Sequence, residues 1–532
     1  MDIKDSDATL IFTSNLPLVL ISAAVALAIY LVTSRRPHYE RWEKYGVKHV
    51  NVPVHQMPEP RNRFLMKEYG PTVGFFTHVP VLVTRNHDLL KQILVKDFNN
   101  FPNRGDDLPS KSPLGKGVFF LKDYDWKRIR QLMSPSFSTG KLKRISTHVQ
   151  EAANRLTQAF EKCAETGSHL KLFHTTGQYT TSIIAKTAFG VQADSIGEEK
   201  DDEFTFFAKN IFKKRSKFSL FFISFLIRFR EFRRFLTYTV GMYFPDPCTR
   251  TSTDYFNAIL KERIAEREKA EIQGSRHVNN DFLQSLVSTM VTSEKKTAAA
   301  VISEENAAST ANGSAKLEKT ITAEEVIAQS VLTILAAYET TSSTLQFCMY
   351  KIAQNPDVQE KLFQEIIDVV EHENPTHEEL SKLHYMEQVV NETLRLFPPV
   401  IRISRKTVEP RSYGDINIPA GAVIEIPIKE IQRDPAHYPD PDVFDPDRFN
   451  EESKAKRSPL AFIPFGQGPR LCIGMRLALL ELKIALVKVL RKVKVELNDE
   501  TVPRKGQDIP IEYLGFARPK QPIELAVKLR AD

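Results

Sequence analysis

Phe465-Gly466-Gln467-Gly468-Pro469-Arg470-Leu471-Cys472-Ile473-Gly474 is the stretch on which the reading of this chain turns. It is a glycine-rich loop holding one cysteine, and the sequence after it predicts a helix from about Met475 to Leu490. The glycines allow a tight bend where a Cβ would clash. A helix that starts just after the cysteine directs its first backbone amides at the sulfur, which lowers the thiol pKa and favours thiolate. A thiolate serves as a nucleophile or as a metal ligand. The nucleophile reading lacks a histidine nearby in sequence, though a spatial partner stays open. The phosphate-loop reading fails because no Lys-Ser or Lys-Thr follows the glycines.

Outward from this loop, the composition is that of an ordinary globular protein. Its 532 residues, 42% hydrophobic and 26% charged, can bury a large core. The net charge of +7 is a small difference between 73 basic and 66 acidic side chains, so composition gives no case for nucleic-acid binding. The four cysteines, Cys163, Cys248, Cys348 and Cys472, form no CxxC pair and are too few for a disulfide scaffold. A reducing compartment is the default.

At the N-terminus, Leu16 to Val32 runs seventeen residues without a charge, close to the roughly 20 apolar residues that span a bilayer. Arg35 and Arg36 follow it, while Asp2, Asp5 and Asp7 precede it, and the positive-inside rule then leaves everything downstream in the cytosol. The expected organisation is a signal anchor over residues 1–36 and one domain over 37–532. A buried core helix is the bland alternative for the uncharged run.

Val73 to Phe76 and Val81 to Thr84 predict a small sheet. Residues 204–244 hold twelve of the 34 phenylalanines, interleaved with lysines and arginines. That pattern fits either amphipathic helices packed on the core or a segment that touches membrane. Residues 291–320, rich in Ala, Ser, Asn, Lys and Glu and free of aromatics, read as a solvated linker. Thr322 with Glu325 then makes a capping box ahead of an apolar run to Tyr350, which predicts a long helix.

The cysteine loop resembles the heme-thiolate loop, F-G-x-G-x-R-x-C-x-G, of the cytochrome P-450 monooxygenases. Six fixed positions make a chance match in this length roughly a one-in-a-hundred-thousand event. Glu392-Thr393-Leu394-Arg395 resembles the family's E-x-x-R, and Pro446-Asp447-Arg448-Phe449 its P-E-R-F with Asp for Glu. The resemblance implies a buried structural triad of Glu392, Arg395 and Arg448. Three apart on a helix, Glu392 and Arg395 share a face, where a surface ion pair is the bland alternative. Trp126 and Arg130 resemble the W-x-x-x-R whose members bond a heme propionate, and four apart they too share a face. Likeness to the membrane-bound group that includes drug-metabolising and thromboxane-forming members adds Arg104, Arg405 and Arg470 to the propionate contacts. Two propionates in an apolar pocket need several cations. Ala336-Ala337-Tyr338-Glu339-Thr340-Thr341 resembles the oxygen-binding groove, with Ala337 at the usual glycine position.

The resemblance covers Arg36 to Lys528 and implies a mainly helical domain with a small β region, shaped as a triangular prism. Heme b would lie between the long helix and the cysteine loop, with Cys472 as axial iron ligand and Phe465 and Gly474 in the cofactor loop. Glu339 and Thr340 would relay protons to oxygen, against the bland reading of a threonine bonded to its own helix backbone. The implied reaction inserts one oxygen atom of O2 into a lipophilic small molecule at the endoplasmic reticulum membrane. Electrons would come from NADPH through NADPH–cytochrome P-450 reductase, with cytochrome b5 as a further partner, because the chain carries no dinucleotide fingerprint of its own. Lys127, Arg128, Lys141, Lys143 and Arg144 offer a cationic docking face. A heme-thiolate isomerase or dehydratase acting on a peroxide, and a heme-binding sensor without turnover, are the rival classes.

Overall fold

The computed structural model describes residues 22, 41–52, 58–77, 79–105, 113–211, 249–273, 281–292, 320–514 and 516–530. Helices dominate these residues, with four small sheets beside them. The principal helices are α1 (Pro58–Glu68), α2 (Asp123–Met133), α3 (Thr139–Thr166), α4 (Leu172–Ile184), α5 (Arg250–Ile272), α6 (Ala323–Gln354), α7 (Pro356–Val369), α8 (His384–Leu396) and α9 (Met475–Lys492).

Helix α6 is the axis of the molecule. It begins at the predicted capping box, in which Thr322 Oγ1 accepts from the Glu325 amide and Glu325 accepts from the Thr322 amide. Its 32 residues give a length of about 48 Å. The helix is apolar on nearly every side because α4 and α9 pack against it. Close approach to α4 needs Gly177, where a Cβ would sit 3.0 Å from the Tyr338 hydroxyl. The second half of α6 joins α3, α8 and α9 in one core, and the first half joins α2 and α5 in another.

The predicted strand pair is present as β1 (Thr72–Phe76) and β2 (Pro80–Thr84), which pair antiparallel. With β3 (Ile403–Lys406) and β4 (Val423–Ile426) they form a sheet in the order β1-β2-β4-β3, where β2 and β4 run parallel. Toward the C-terminus come β5 (Val493–Glu496), β6 (Ile511–Leu514), β7 (Phe516–Pro519) and β8 (Glu524–Leu529). Strands β6 and β7 form a hairpin, while β8 pairs with β5 and with Leu170–Lys171.

Apart from Ser22, the uncharged run Leu16–Val32 lies outside the described residues. Among the described residues no helix is long and apolar enough to cross a membrane. Of the Phe-rich segment only residues 204–211 are described. There Phe204 is buried against Phe189 and Phe256, whereas Phe206 is exposed. Residues 293–319 of the expected linker also lie outside the described residues.

Candidate functional site

The cysteine loop is shaped by two glycines with positive φ, Gly466 at 78° and Gly468 at 77°. At Gly468 an added Cβ would lie 1.9 Å from the Leu94 carbonyl oxygen, so only glycine lets the loop pass. The turn closes with the Cys472 amide donating to the Phe465 carbonyl at 3.0 Å. Phe465 itself packs against the core formed by α3, α8 and α9. Gly474 precedes α9 as its N-cap, and a Cβ there would meet nothing within 4 Å.

The backbone amides of Gly474 and Met475 favour the charged form of the Cys472 sulfur, as the sequence predicts. The direction of the pKa shift is nevertheless corrected: burial pushes the thiol up, and it outweighs the two amides and the nearby Arg130 and Arg104 charges that pull it down. The side chain still has an exposed edge, so enclosing protein and an open face coexist at this sulfur. A cation placed on that face would be needed to hold the thiolate.

Around the loop the structure gathers the predicted arginines. Arg130, on the same face of α2 as Trp126, donates to the Leu471 carbonyl at 2.7 Å. The Arg470 guanidinium lies 4.0 Å over the Trp126 ring and donates to the carbonyls of Pro102 at 2.9 Å and Leu121 at 3.0 Å. Arg405, on β3 and fully buried, donates to the Ser404 carbonyl at 2.8 Å, and its Nε has no partner among the described residues. Arg104 stacks on Phe119 at 3.9 Å.

Among the described residues, neither Arg130, Arg405 nor Arg470 forms an ion pair with a carboxylate. Burial, reinforced by repulsion from Arg104, lowers Arg405 to about 9. Burial lowers Arg470 to about 8, with Arg104 and Arg405 the next contributors. Cations held this way at neutral pH fit a ligand with more than one negative charge. One exposed cysteine beside Arg130, Arg405 and Arg470, which hold no carboxylate among the described residues, fits an iron porphyrin dicarboxylate: sulfur for the metal, guanidinium for the propionates.

Helix α6 runs past this loop, and Ala337 and Ile473 pack on the same core. Ala336 is exposed in the middle of a mostly buried helix, and Thr340, one turn on, is half-buried. The Thr340 hydroxyl donates to the Ala336 carbonyl at 2.6 Å. The bond to its own helix backbone is therefore present, and it leaves the hydroxyl oxygen free to accept. Glu339 is buried and ion-paired with Arg518 of β7, a partner the sequence reading did not supply.

Glu392 and Arg395 on α8 are completely buried and doubly bonded, Nε to Oε2 at 2.6 Å and Nη2 to Oε1 at 2.8 Å. Arg448 approaches Glu392 at 3.6 Å. Asp447, the departure from the usual glutamate, faces outward and meets Lys361 at 3.2 Å.

One expected docking cation is misplaced. Arg128 is buried, pairs with Glu325 and donates to the Thr320 carbonyl, so it fastens α2 to the start of α6. Lys127, Lys143 and Arg144 are exposed, and Lys141 is half-buried.

A fold of this kind, with a long helix and a cysteine loop packed on one core and arginines gathered around the loop, is that of a heme-thiolate protein. The family model for cytochrome P-450 matches residues 45–527. The chain is 31% identical over 519 residues to thromboxane-A synthase of Sus scrofa, covering 92% of this chain and 93% of that enzyme. It is 34% identical over 473 residues to cytochrome P-450 3A2 of Rattus norvegicus, covering 87% and 85%. Cytochrome P-450 3A30 of Fundulus heteroclitus is 33% identical over 469 residues, with 87% of each covered. The chain belongs to the cytochrome P-450 family and is a monooxygenase of the oxidoreductase class.

Proposed function

We propose that this chain inserts one oxygen atom of O2 into a lipophilic small molecule, using electrons from NADPH delivered by NADPH–cytochrome P-450 reductase, with cytochrome b5 as a second donor. The observation that carries the proposal is the group of Arg130, Arg405 and Arg470 around the cysteine loop, the last two buried and Arg130 half-buried, which hold carbonyl dipoles and, among the described residues, no carboxylate. Cys472 would supply the sulfur that holds the heme iron. Arg104, Trp126, Arg130, Arg405 and Arg470 would hold the propionates, and Phe465 and Gly474 shape the cysteine loop. Bound heme supplies oxygen activation at a thiolate-ligated iron.

The chain's own residues do the rest. Apolar walls from α6 hold the substrate and exclude water. Glu339 takes up a proton at its second oxygen, which lacks a hydrogen-bond partner among the described residues, and passes it toward Thr340. The Thr340 hydroxyl accepts at its free lone pairs and releases its own proton in exchange. Glu392, Arg395 and Arg448 hold the scaffold and touch no reactant. Residues 1–36 anchor the domain 37–532 to the endoplasmic reticulum, facing the cytosol, a reading supported by the uncharged run and by Arg35 and Arg36. Lys127, Lys143 and Arg144 meet the reductase.

The likeness to thromboxane-A synthase over nearly the whole chain supports a second reading, rearrangement of a lipid peroxide without a reductase. Two measurements decide. NADPH oxidation by the reductase-reconstituted enzyme is expected to rise when lauric acid, progesterone or 7-benzyloxycoumarin is added; turnover of an added lipid hydroperoxide without NADPH or reductase would instead establish the second reading. Cys472→Ser is expected to abolish the red-shifted absorption of the reduced carbon monoxide complex. Its loss in Cys163→Ser, Cys248→Ser or Cys348→Ser, with retention in Cys472→Ser, would overturn the ligand assignment.

A further inference from the structure

We infer that Arg518 is a positioning residue for proton delivery: from the β6–β7 hairpin it holds the Glu339 carboxylate beside Thr340. The inference rests on the relay reading of Glu339 and Thr340 given above.

Arg518 has two carboxylates within reach of its strand. Its register partner across the β6–β7 ladder is Glu512, the neighbour with which a strand arginine ordinarily pairs. The observed ion pair reaches instead to Glu339 on α6, 179 residues away in sequence. Glu512 stays exposed, whereas the Glu339 side chain is 6% exposed and that of Arg518 38%. The pair therefore spans from solvent to a buried carboxylate on the turn of α6 that carries Thr340.

The hairpin is built to keep that reach fixed. The Ala517 amide donates to the Pro399 carbonyl at 3.1 Å, and Ala517 is fully buried. Below the hairpin, the Ile509 amide donates to the Tyr350 hydroxyl of α6 at 3.3 Å. The segment from Ile509 to Arg518 is thus fastened to the long helix at two levels, Tyr350 and Glu339.

Consecutive helix residues point about 100° apart, so nothing in the helix itself turns the Glu339 carboxylate toward Thr340. A buried carboxylate stripped of its cation is strongly destabilised and leaves its position or its charge state. Arg518 engages one oxygen, Oε1, while Oε2 stays buried with no hydrogen-bond partner among the described residues. One oxygen is an anchor and the other is the proton's stop.

The test uses the full-length holoenzyme with reductase, NADPH and 7-benzyloxycoumarin as probe, in Arg518→Gln, Arg518→Lys, Glu339→Gln, Thr340→Ala and the Arg518→Gln/Glu339→Gln double variant. Arg518→Gln is expected to release roughly threefold or more peroxide per NADPH, with heme content and probe affinity unchanged. Arg518→Lys should return the ratio to within about twofold of wild type, and the double variant should be no worse than Glu339→Gln alone. In the resting enzyme, without turnover, hydrogen exchange of residues 511–519 should accelerate in Arg518→Gln and equally in Glu339→Gln; the second variant carries this test should the first lose heme. A peroxide ratio in Arg518→Gln equal to wild type, or full additivity in the double variant, overturns the inference while uncoupling in Thr340→Ala and Glu339→Gln keeps the relay reading. If neither of those two uncouples, the relay reading fails and this inference falls with it.

Discussion

Two clusters of buried charge, one around Glu392 and one beside Cys472, are made from the same arginine chemistry and reach opposite balances. At Glu392 both carboxylate oxygens are held by Arg395, and Oε1 also accepts from the Asp445 amide at 2.9 Å. The remaining Arg395 donors reach the carbonyls of Gln432, Pro441 and Val443. Glu392 and Arg395 are both satisfied from within the chain, which offsets the high cost of burying the pair; Arg448 adds a charge at 3.6 Å rather than a hydrogen bond from its Nε. Beside Cys472, Arg130, Arg405 and Arg470 bond carbonyl dipoles and, among the described residues, no carboxylate, and burial with repulsion from neighbouring arginines draws down the pKa values of Arg405 and Arg470. A cluster that neutralises itself fixes the scaffold; a cluster left with excess charge is a seat for a ligand of opposite sign.

The largest effect is expected where the balance is internal. Glu392→Ala leaves Arg395 buried and unpaired, at a cost of about 3–5 kcal/mol, a large share of a domain's total stability. The variant should yield little heme-loaded soluble protein, read as the carbon monoxide spectrum per milligram of chain. Wild-type yield would show that the Glu392 cluster is not what holds this part of the fold.

A smaller effect sharpens the rule from the acidic side. Glu481 on α9 is buried, and burial alone raises its pKa to about 8. The unfolded value is about 4.3. Between these values the unfolded chain has released a proton that the folded chain keeps, so stability falls as pH rises through that window. Glu481→Gln should therefore raise the unfolding free energy at pH 8 by at least about 1 kcal/mol and leave it nearly unchanged at pH 4. An equal effect at both pH values would place the cost in packing rather than in charge.

Local signals in the sequence carried far. The Thr322–Glu325 capping box is readable because both partners lie within one turn, and it starts α6 where expected. Glu392 and Arg395, three apart, and Trp126 and Arg130, four apart, share faces by helix geometry alone. The glycines of the cysteine loop announce positive φ, and Gly466 and Gly468 adopt it. Partners distant in sequence were not legible. Arg128 follows the exposed Lys127 and reads like it, yet it faces Glu325, 197 residues later. The Glu339–Arg518 pair likewise leaves no mark at either end. At Cys472 the local dipole was read correctly, but burial, which depends on the whole fold, decides the direction of the shift.

The most direct test of the contrast is thermal unfolding of the Arg405→Met/Arg470→Met double variant beside wild type, each measured as apoprotein and after heme loading. Removing two cations from a cluster with excess positive charge should leave the apoprotein at least as stable as wild type, because apolar side chains of similar size replace buried unpaired charge. Heme should then stabilise the variant less than it stabilises wild type, since the propionates have lost two partners. An apoprotein destabilised as severely as Glu392→Ala, with the gain from heme unchanged, would contradict the account and make these arginines part of the scaffold.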